Sequence, residues 1–376
     1  MNTVTELLQA LVRVPSVNPE GSPGTEGVGE QRCAEAVAEF LEASGAATEL
    51  RTVLPGRPNV VGTWPSDRPG KPVLIFAPHT DTVSVAGMTV EPFGGELREG
   101  RVWGRGASDT KGSMAAMLWA LREMREELPG LSHEIVFAGM CSEEAGQHGV
   151  KAFVAERGAE LRERGAFAIA GEPTNCDAVV AHKGALWLTL TTRGRAVHAA
   201  QPECGESAIF KMADVVRAIR DDVGPGLASR GRHPLLGVPT ISVGTVAGGS
   251  KINIVPDVCV AEVDVRFLPG DEAILARLTF ALGRVCPGLE ITHVLSRAME
   301  TNPAHPVIAA MQACGAQCVG APWFSDAAIF AHAGIPAVAC GPGSIAQAHT
   351  KDEFLAVEDL EKGVAFFRAL LAKLRG

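Results

Sequence analysis

Residues 71–83 read KPVLIFAPHTDTV. An unbroken apolar run, Val73 to Ala77, halts at Pro78 and His79, and polar residues alternate with apolar ones beyond. A run this short with no polar face predicts a strand buried on both sides, the kind found in parallel sheets covered by helices. The segments that follow keep the rhythm. GSMAAMLWALREMREEL (112–128) predicts a helix, HEIVFAGMCSEE (133–144) a second buried strand, GVKAFVAERGAELRERG (149–165) a helix and AFAIAGEP (166–173) a third strand. Strands alternating with helices imply an α/β domain with a mostly parallel sheet flanked by helices. His79, Glu143 and Glu172 fall at the C-terminal ends of these strands, where open α/β sheets gather their sites.

Near residue 180 the pattern changes. ALWLTLTTRG (185–194) alternates apolar and polar positions, as a half-exposed antiparallel strand does. A helix (207–223), strands at 240–249 and 258–267, a helix (271–285) and a strand (289–296) complete a β-α-β-β-α-β order, that of a ferredoxin-like unit. Helix, strand and a closing amphipathic helix (357–376) then resume the first pattern. The expected organisation is a discontinuous catalytic domain, 1–179 and 296–376, carrying an inserted α+β domain, 180–295. A chain of 376 residues is long for one core, which agrees with two domains.

The formal net charge of −9 argues against nucleic acid as a partner. No run of 18 apolar residues predicts a membrane span. The N-terminal amphipathic helix, ending before Pro15, lacks the basic start and cleavage site of a signal peptide. Nine cysteines, an odd number spread through apolar stretches, suit reduced thiols in a cytoplasm better than a disulfide framework. Cys314 and Cys318 are expected on one helix, near one buried face.

Taken singly, the acidic and histidine residues say little. His79-x-Asp81 places a carboxylate where it orients the imidazole, but a satisfied surface histidine looks the same. Asp109, in GRGASDTKGS (104–113), is equally a helix N-cap. Glu143 and Glu144 are adjacent carboxylates pointing apart, or else solvated loop acids. Glu172 precedes Pro173, which holds it extended. His349 sits near a Gly-Pro-Gly turn. Their joint occurrence on strand ends supplies enough donors for two metal ions and a spare base, and points to metal-assisted hydrolysis.

These motifs, with GRAVHAAQPECG (194–205), GGSKINIVPD (248–257), VDVRFLPG (263–270) and GPGSIAQAHTKDEF (341–354), resemble in order and spacing the co-catalytic zinc aminoacylase and carboxypeptidase family. That family contains acetylornithine deacetylase, succinyl-diaminopimelate desuccinylase and glutamate carboxypeptidase. The resemblance implies a zinc-exopeptidase-like sheet domain with an inserted lid and dimerisation domain, a homodimer, and two divalent metals, zinc with cobalt or manganese as alternatives. It implies that Asp109 bridges the metals, that His79 and Glu172 complete one and Glu144 and His349 the other, and that Asp109–Thr110 is a cis peptide. Glu143 is then the general base, acting on a water between metals roughly 3.5 Å apart, and Asp81 orients His79. His198 is implied to stabilise the oxyanion in a partner's site. Arg266 and Asn253 are implied to hold the substrate's α-carboxylate; a structural ion pair is the other reading of Arg266.

Two departures stand out: Pro78 before His79, and Ser207 where the family often has Asn. GPGSIAQAHTKDEF looks most like acetylornithine deacetylase, and the stretch APWFSDAAIF (321–330) lacks the desuccinylase pattern. Its Asp326 either lines the side-chain pocket or caps a helix. The expected function is hydrolysis of an N-acyl-L-amino acid in amino-acid metabolism. A desuccinylase and a dipeptidase or carboxypeptidase are the alternatives; a metal-free binding protein fits poorly, because the ligand set and Glu143 are intact.

Overall fold

The computed structural model describes residues 1–20 and 28–375. Contacts divide the chain into two compact units, Met1–Val180 with Thr301–Val319 and Ser325–Gly376, and Ala181–Glu300 with Gly320–Phe324. The short stretch 320–324, inside the part assigned by sequence to the first domain, clusters with the second unit.

In the first unit, strand Val73–Pro78 lies between two parallel neighbours, Glu134–Gly139 and Phe167–Gly171, with Ile75 opposite Val136 on one side and Ala168 on the other. Every residue of Val73–Pro78 is buried. Leu74 and Phe76 enter a core with helices Lys111–Glu123 and Val357–Lys373, where Phe76 meets Phe367 edge-on at 5.6 Å. Ile75 and Ala77 point to the opposite face and are as well buried, which is why the sequence shows no polar alternation here. Strand Ala337–Ala339 adds in parallel to Phe167–Gly171, while Arg57–Thr63 pairs antiparallel with Glu134–Gly139 and Ala47–Leu54 with Arg57–Thr63. This is the mixed, centrally parallel α/β sheet the rhythm predicts.

The first helix, Val4–Val12, starts at Thr3, whose hydroxyl accepts from the Glu6 N–H at 3.1 Å, while the Glu6 carboxylate accepts from the N–H of Asn2, just before the cap. One local expectation fails. Cys314 and Cys318 do not share a helix: helix Pro306–Ala313 stops at Cys314, Gly315 takes a φ of +103°, and Cys318 opens the strand Cys318–Ala321. The glycine supplies the left-handed turn that a helix end requires.

The second unit holds a four-stranded antiparallel sheet in the order Thr240–Gly248, Val258–Phe267, Gly184–Arg193, Glu290–Ser296. Leu186, Leu188 and Leu190 point to one face and join Met212, Val215, Leu278 and Leu282 from helices Ala208–Ala218 and Ile274–Val285. Order and pairing are those of a ferredoxin-like fold. The helix predicted over 207–223 is α-helical only to Ala218 and continues as a wider turn, Ile219–Val223. Ser207 caps its start by accepting from the Phe210 N–H at 3.3 Å. Among the described residues, no helix is long and apolar enough to cross a membrane.

Candidate active site

His79, Glu143–Glu144 and Glu172 follow the C-terminal ends of three adjacent strands, Val73–Pro78, Glu134–Gly139 and Phe167–Gly171. Parallel pairing carries these ends to one edge of the sheet, so residues distant in sequence converge there. His79 Nε2 lies 3.1 Å from Asp109 Oδ1, and His349 Nε2 lies 3.3 Å from Asp109 Oδ2 and 3.2 Å from Glu144 Oε2. Donor atoms of His79, Asp109 and Glu144 fall within 4.8 Å of one another, as do those of His79, Glu143 and Glu172. Six of the residues singled out by sequence, His79, Asp109, Glu143, Glu144, Glu172 and His349, are thus assembled in the first unit. Asp109 does not cap the following helix, which begins after Thr110, and the Asp109–Thr110 peptide is cis.

Asp81 is fully buried and its carboxylate is shared. Its Oδ1 accepts from the Glu143 N–H at 3.0 Å, and its Oδ2 from the Glu144 N–H at 3.0 Å and the Asn18 side-chain amide at 2.8 Å. His79 Nδ1 lies 3.0 Å from the Asp81 carbonyl oxygen and 3.4 Å from its carboxylate, leaving Nε2 to face Asp109. Burial works against the charge on Asp81, but hydrogen bonds from His79, Asn18 and the Glu143 amide outweigh it and hold its pKa below the ordinary value.

Burial likewise opposes the charge on Asp109, but hydrogen bonds from His349 and His79 hold its pKa below the ordinary value, whereas three glutamates behave in the opposite way. Burial, then the proximity of Glu172, pushes Glu143 well above the usual range, and burial with Asp109 does the same to Glu172. Glu144 is pushed up to about 7 by burial and Asp109, and its Oε1 is buried without a hydrogen-bond partner. Oxygen-rich, mutually repelling carboxylates with two imidazoles are a donor set that divalent cations satisfy, so the residues fit a dinuclear centre.

Sequence reasoning missed Glu353 and Asn18. Glu353 is buried, and its Oε1 accepts from the Ser108 and Asp109 N–H groups at 2.9 and 3.0 Å. Its Oε2 accepts from Arg105 at 2.7 Å and the Gly106 N–H at 3.1 Å. One carboxylate therefore sets the backbone on which Asp109 stands. The only sequence signal is its place four residues after His349. Asp326 stands at the start of helix Ala327–His332 but its side chain does not cap it; Gln147 donates to its Oδ1 at 3.3 Å, and burial raises it to about 7.

His198, Asn253 and Arg266 belong to the second unit. His198 is exposed, its Nδ1 accepts from the Ala200 N–H at 3.1 Å, and the Asn253 carbonyl accepts from the Ala199 N–H at 3.0 Å, so these two loops are joined. Arg266 donates from Nε and Nη2 to Asp264 at 2.9 and 3.0 Å, and Trp187 donates to the same carboxylate at 2.7 Å. The ion pair left open by the sequence is therefore formed.

The sequence profile of peptidase family M20/M25/M40 matches residues 75–373. The chain belongs to this family. As a member of M20/M25/M40 it is a dinuclear metal-dependent hydrolase. It is 28% identical to the acetylornithine deacetylase of Proteus mirabilis (strain HI4320) over 96% of this chain and 93% of that protein. To the acetylornithine deacetylase of Aliivibrio salmonicida (strain LFI1238) it is 27% identical over 98% and 97%. In fold it is similar to an M20 family metallo-carboxypeptidase from Sulfolobus solfataricus, with a TM-score of 0.82 at 18% identity over 100% of this chain and 99% of that one.

Changing Glu353 to Gln leaves Arg105 buried without its counter-charge. This is expected to cost about 3–5 kcal/mol in urea unfolding and to lower the metal bound per chain. Unchanged stability and metal content would show that Asp109 does not depend on this support.

Proposed function

We propose that this chain hydrolyses the amide bond of an N-acyl-L-amino acid, with N-acetyl as the leading acyl group, releasing a carboxylate and an amine. The observation that carries the reading is the convergence of two imidazoles and four carboxylates at one sheet edge, with donor atoms of His79, Asp109 and Glu144, and of His79, Glu143 and Glu172, within 4.8 Å of one another, and His349 against Asp109 and Glu144. In this reading Asp109 is common to two metals, His79 and Glu172 complete one, and Glu144 and His349 the other. When bound, the metals supply Lewis acidity, which polarises the scissile carbonyl and makes water acidic enough to attack near neutral pH. Zinc is the leading identity, with cobalt or manganese as alternatives.

Glu143 is assigned as the general base. Its burial and its raised pKa suit it to take a proton from the attacking water and return it to the departing amine nitrogen. Asp81 orients His79 through Nδ1 and fixes the Glu143 and Glu144 amides. From the second unit, His198 is assigned to the developing oxyanion, and Asn253 and Arg266 to the substrate's α-carboxylate. Arg266 would then exchange or share its fork with Asp264, a swap of one carboxylate for another that the same planar donors accommodate. The acetyl preference is supported by the motif GPGSIAQAHTKDEF and by the names of the curated relatives. The nine free cysteines support a reducing, cytoplasmic setting, and a homodimer is inferred from the motif around His198.

Glu143→Ala is expected to lower kcat by about 10²–10⁴-fold while metal content stays at the wild-type level; undiminished activity ends the general-base assignment. Dialysis against a chelator should abolish turnover, and added Zn2+ or Co2+ should restore it. Rates on N-acetyl-L-ornithine, other N-acetyl amino acids, N-succinyl-diaminopimelate and dipeptides, compared side by side, decide the substrate. N-acetyl amino acids should lead, and turnover of dipeptides alone would contradict the proposal. Light scattering in solution should give twice the chain mass; a monomer would remove the dimer.

A further inference from the structure

The turn that leads into Glu143 and Glu144 is held in part by residues that no motif contains and that precede the family match at residue 75. Strand Arg57–Thr63 runs antiparallel to Glu134–Gly139 as far as Val60 opposite Gly139. The ladder cannot simply continue, because Pro58 has no N–H to donate. Side chains take over. The Cys141 N–H donates to Asn59 Oδ1 at 3.0 Å, and the Ser142 N–H to Glu30 Oε1 at 3.2 Å. With the two amides caught by Asp81, four consecutive N–H groups, from Cys141 to Glu144, each end on a side chain from elsewhere in the fold.

These anchors are themselves fixed. Arg57 Nε and Nη2 grip both oxygens of Glu30 at 2.8 and 2.7 Å, with Glu30 fully buried, and Nη1 reaches Glu20 at 2.8 Å. The Asn59 amide nitrogen donates to the Gly149 carbonyl at 2.8 Å. A Cβ on Gly149 would stand 2.5 Å from Asn59 Oδ1, so only glycine allows this approach. Between the anchors, Ser142 takes a φ of +69° and the Gln147 N–H closes the turn on the Ser142 carbonyl at 2.6 Å. A left-handed residue without glycine persists where its surroundings over-determine it.

We propose that Glu30, Arg57 and Asn59 are positioning residues for the reaction: they lock the turn at Cys141–Ser142 and thereby decide which of the two neighbouring carboxylates faces Asp109 and His349 and which is left for proton transfer. A rotation of this turn would exchange Glu143 and Glu144, placing the base where a metal ligand belongs. The inference rests on the roles assigned to those two residues above, but its test is separate.

The full-length protein and any substrate it turns over suffice. Asn59→Ala removes the acceptor for the Cys141 N–H; Asn59→Asp keeps it. Arg57→Lys keeps the charge but loses the two-pronged grip on Glu30. Asn59→Ala and Arg57→Lys are expected to lower kcat by about 10–100-fold with KM within about threefold, and to change the visible absorption of the Co2+-loaded protein. Asn59→Asp should keep kcat within about threefold of wild type although its buried carboxylate makes it the least stable in thermal melting. Wild-type kcat and Co2+ spectra in folded Asn59→Ala and Arg57→Lys would overturn the proposal. So would a kcat order that follows melting temperature, with Asn59→Asp the slowest. If Arg57→Lys does not fold, the Asn59 pair alone decides. Failure of the functional reading would appear elsewhere, as retained activity in Glu143→Ala.

Discussion

The site depends on one buried carboxylate. Asp81 accepts from the amides of Glu143 and Glu144 and from Asn18, and lies beside His79 Nδ1. A carboxylate with no exposure is costly unless its oxygens are satisfied. Asp81 meets that requirement with backbone amides from a second strand end, and in doing so ties two sheet strands together at the edge where the chemistry is assembled. Its role is wider than orienting one imidazole. It sets the spacing between the His79 strand and the turn that offers two acids.

Glu353 repeats the device on the other side, accepting from the amides of Ser108 and Asp109 while paired with Arg105. Two charged, buried acceptors thus hold the backbone, and the remaining acids, Glu143, Glu144 and Glu172, are left crowded with raised pKa values. Divalent cations relieve that crowding, so the fold supplies the stiffness and the metals the counter-charge. On the proposed reading, this division leaves one acid, Glu143, free for proton transfer.

Much of this was legible in the sequence, for physical reasons. Strands buried on both faces announce themselves as short apolar runs, and their ends locate His79, Glu143 and Glu172. Alternation in 185–194 marked the change to an antiparallel sheet. What could not be read were contacts that depend on tertiary approach. Nothing local signals that Glu30 and Asn59 accept from backbone amides 112 and 82 positions away, that Asn18 donates to the Asp81 carboxylate 63 positions on, or that Arg57 grips Glu30 27 positions back. Helix ends were also misjudged where a glycine or a widened turn intervened, at Gly315 and at Ile219–Val223. The pairing of Arg266 with Asp264 depends on their side chains turning toward each other, which a spacing of two on a strand permits but does not dictate.

The central claim is a particular division of labour among neighbouring carboxylates. The most direct test is anomalous diffraction from crystals of the Zn2+-loaded protein. The account predicts two metal peaks per chain, with Asp109 bound to both, His79 and Glu172 on one, Glu144 and His349 on the other, and Glu143 outside the coordination of either. A single peak, or Glu143 bound to metal in place of Glu172 or Glu144, would contradict it.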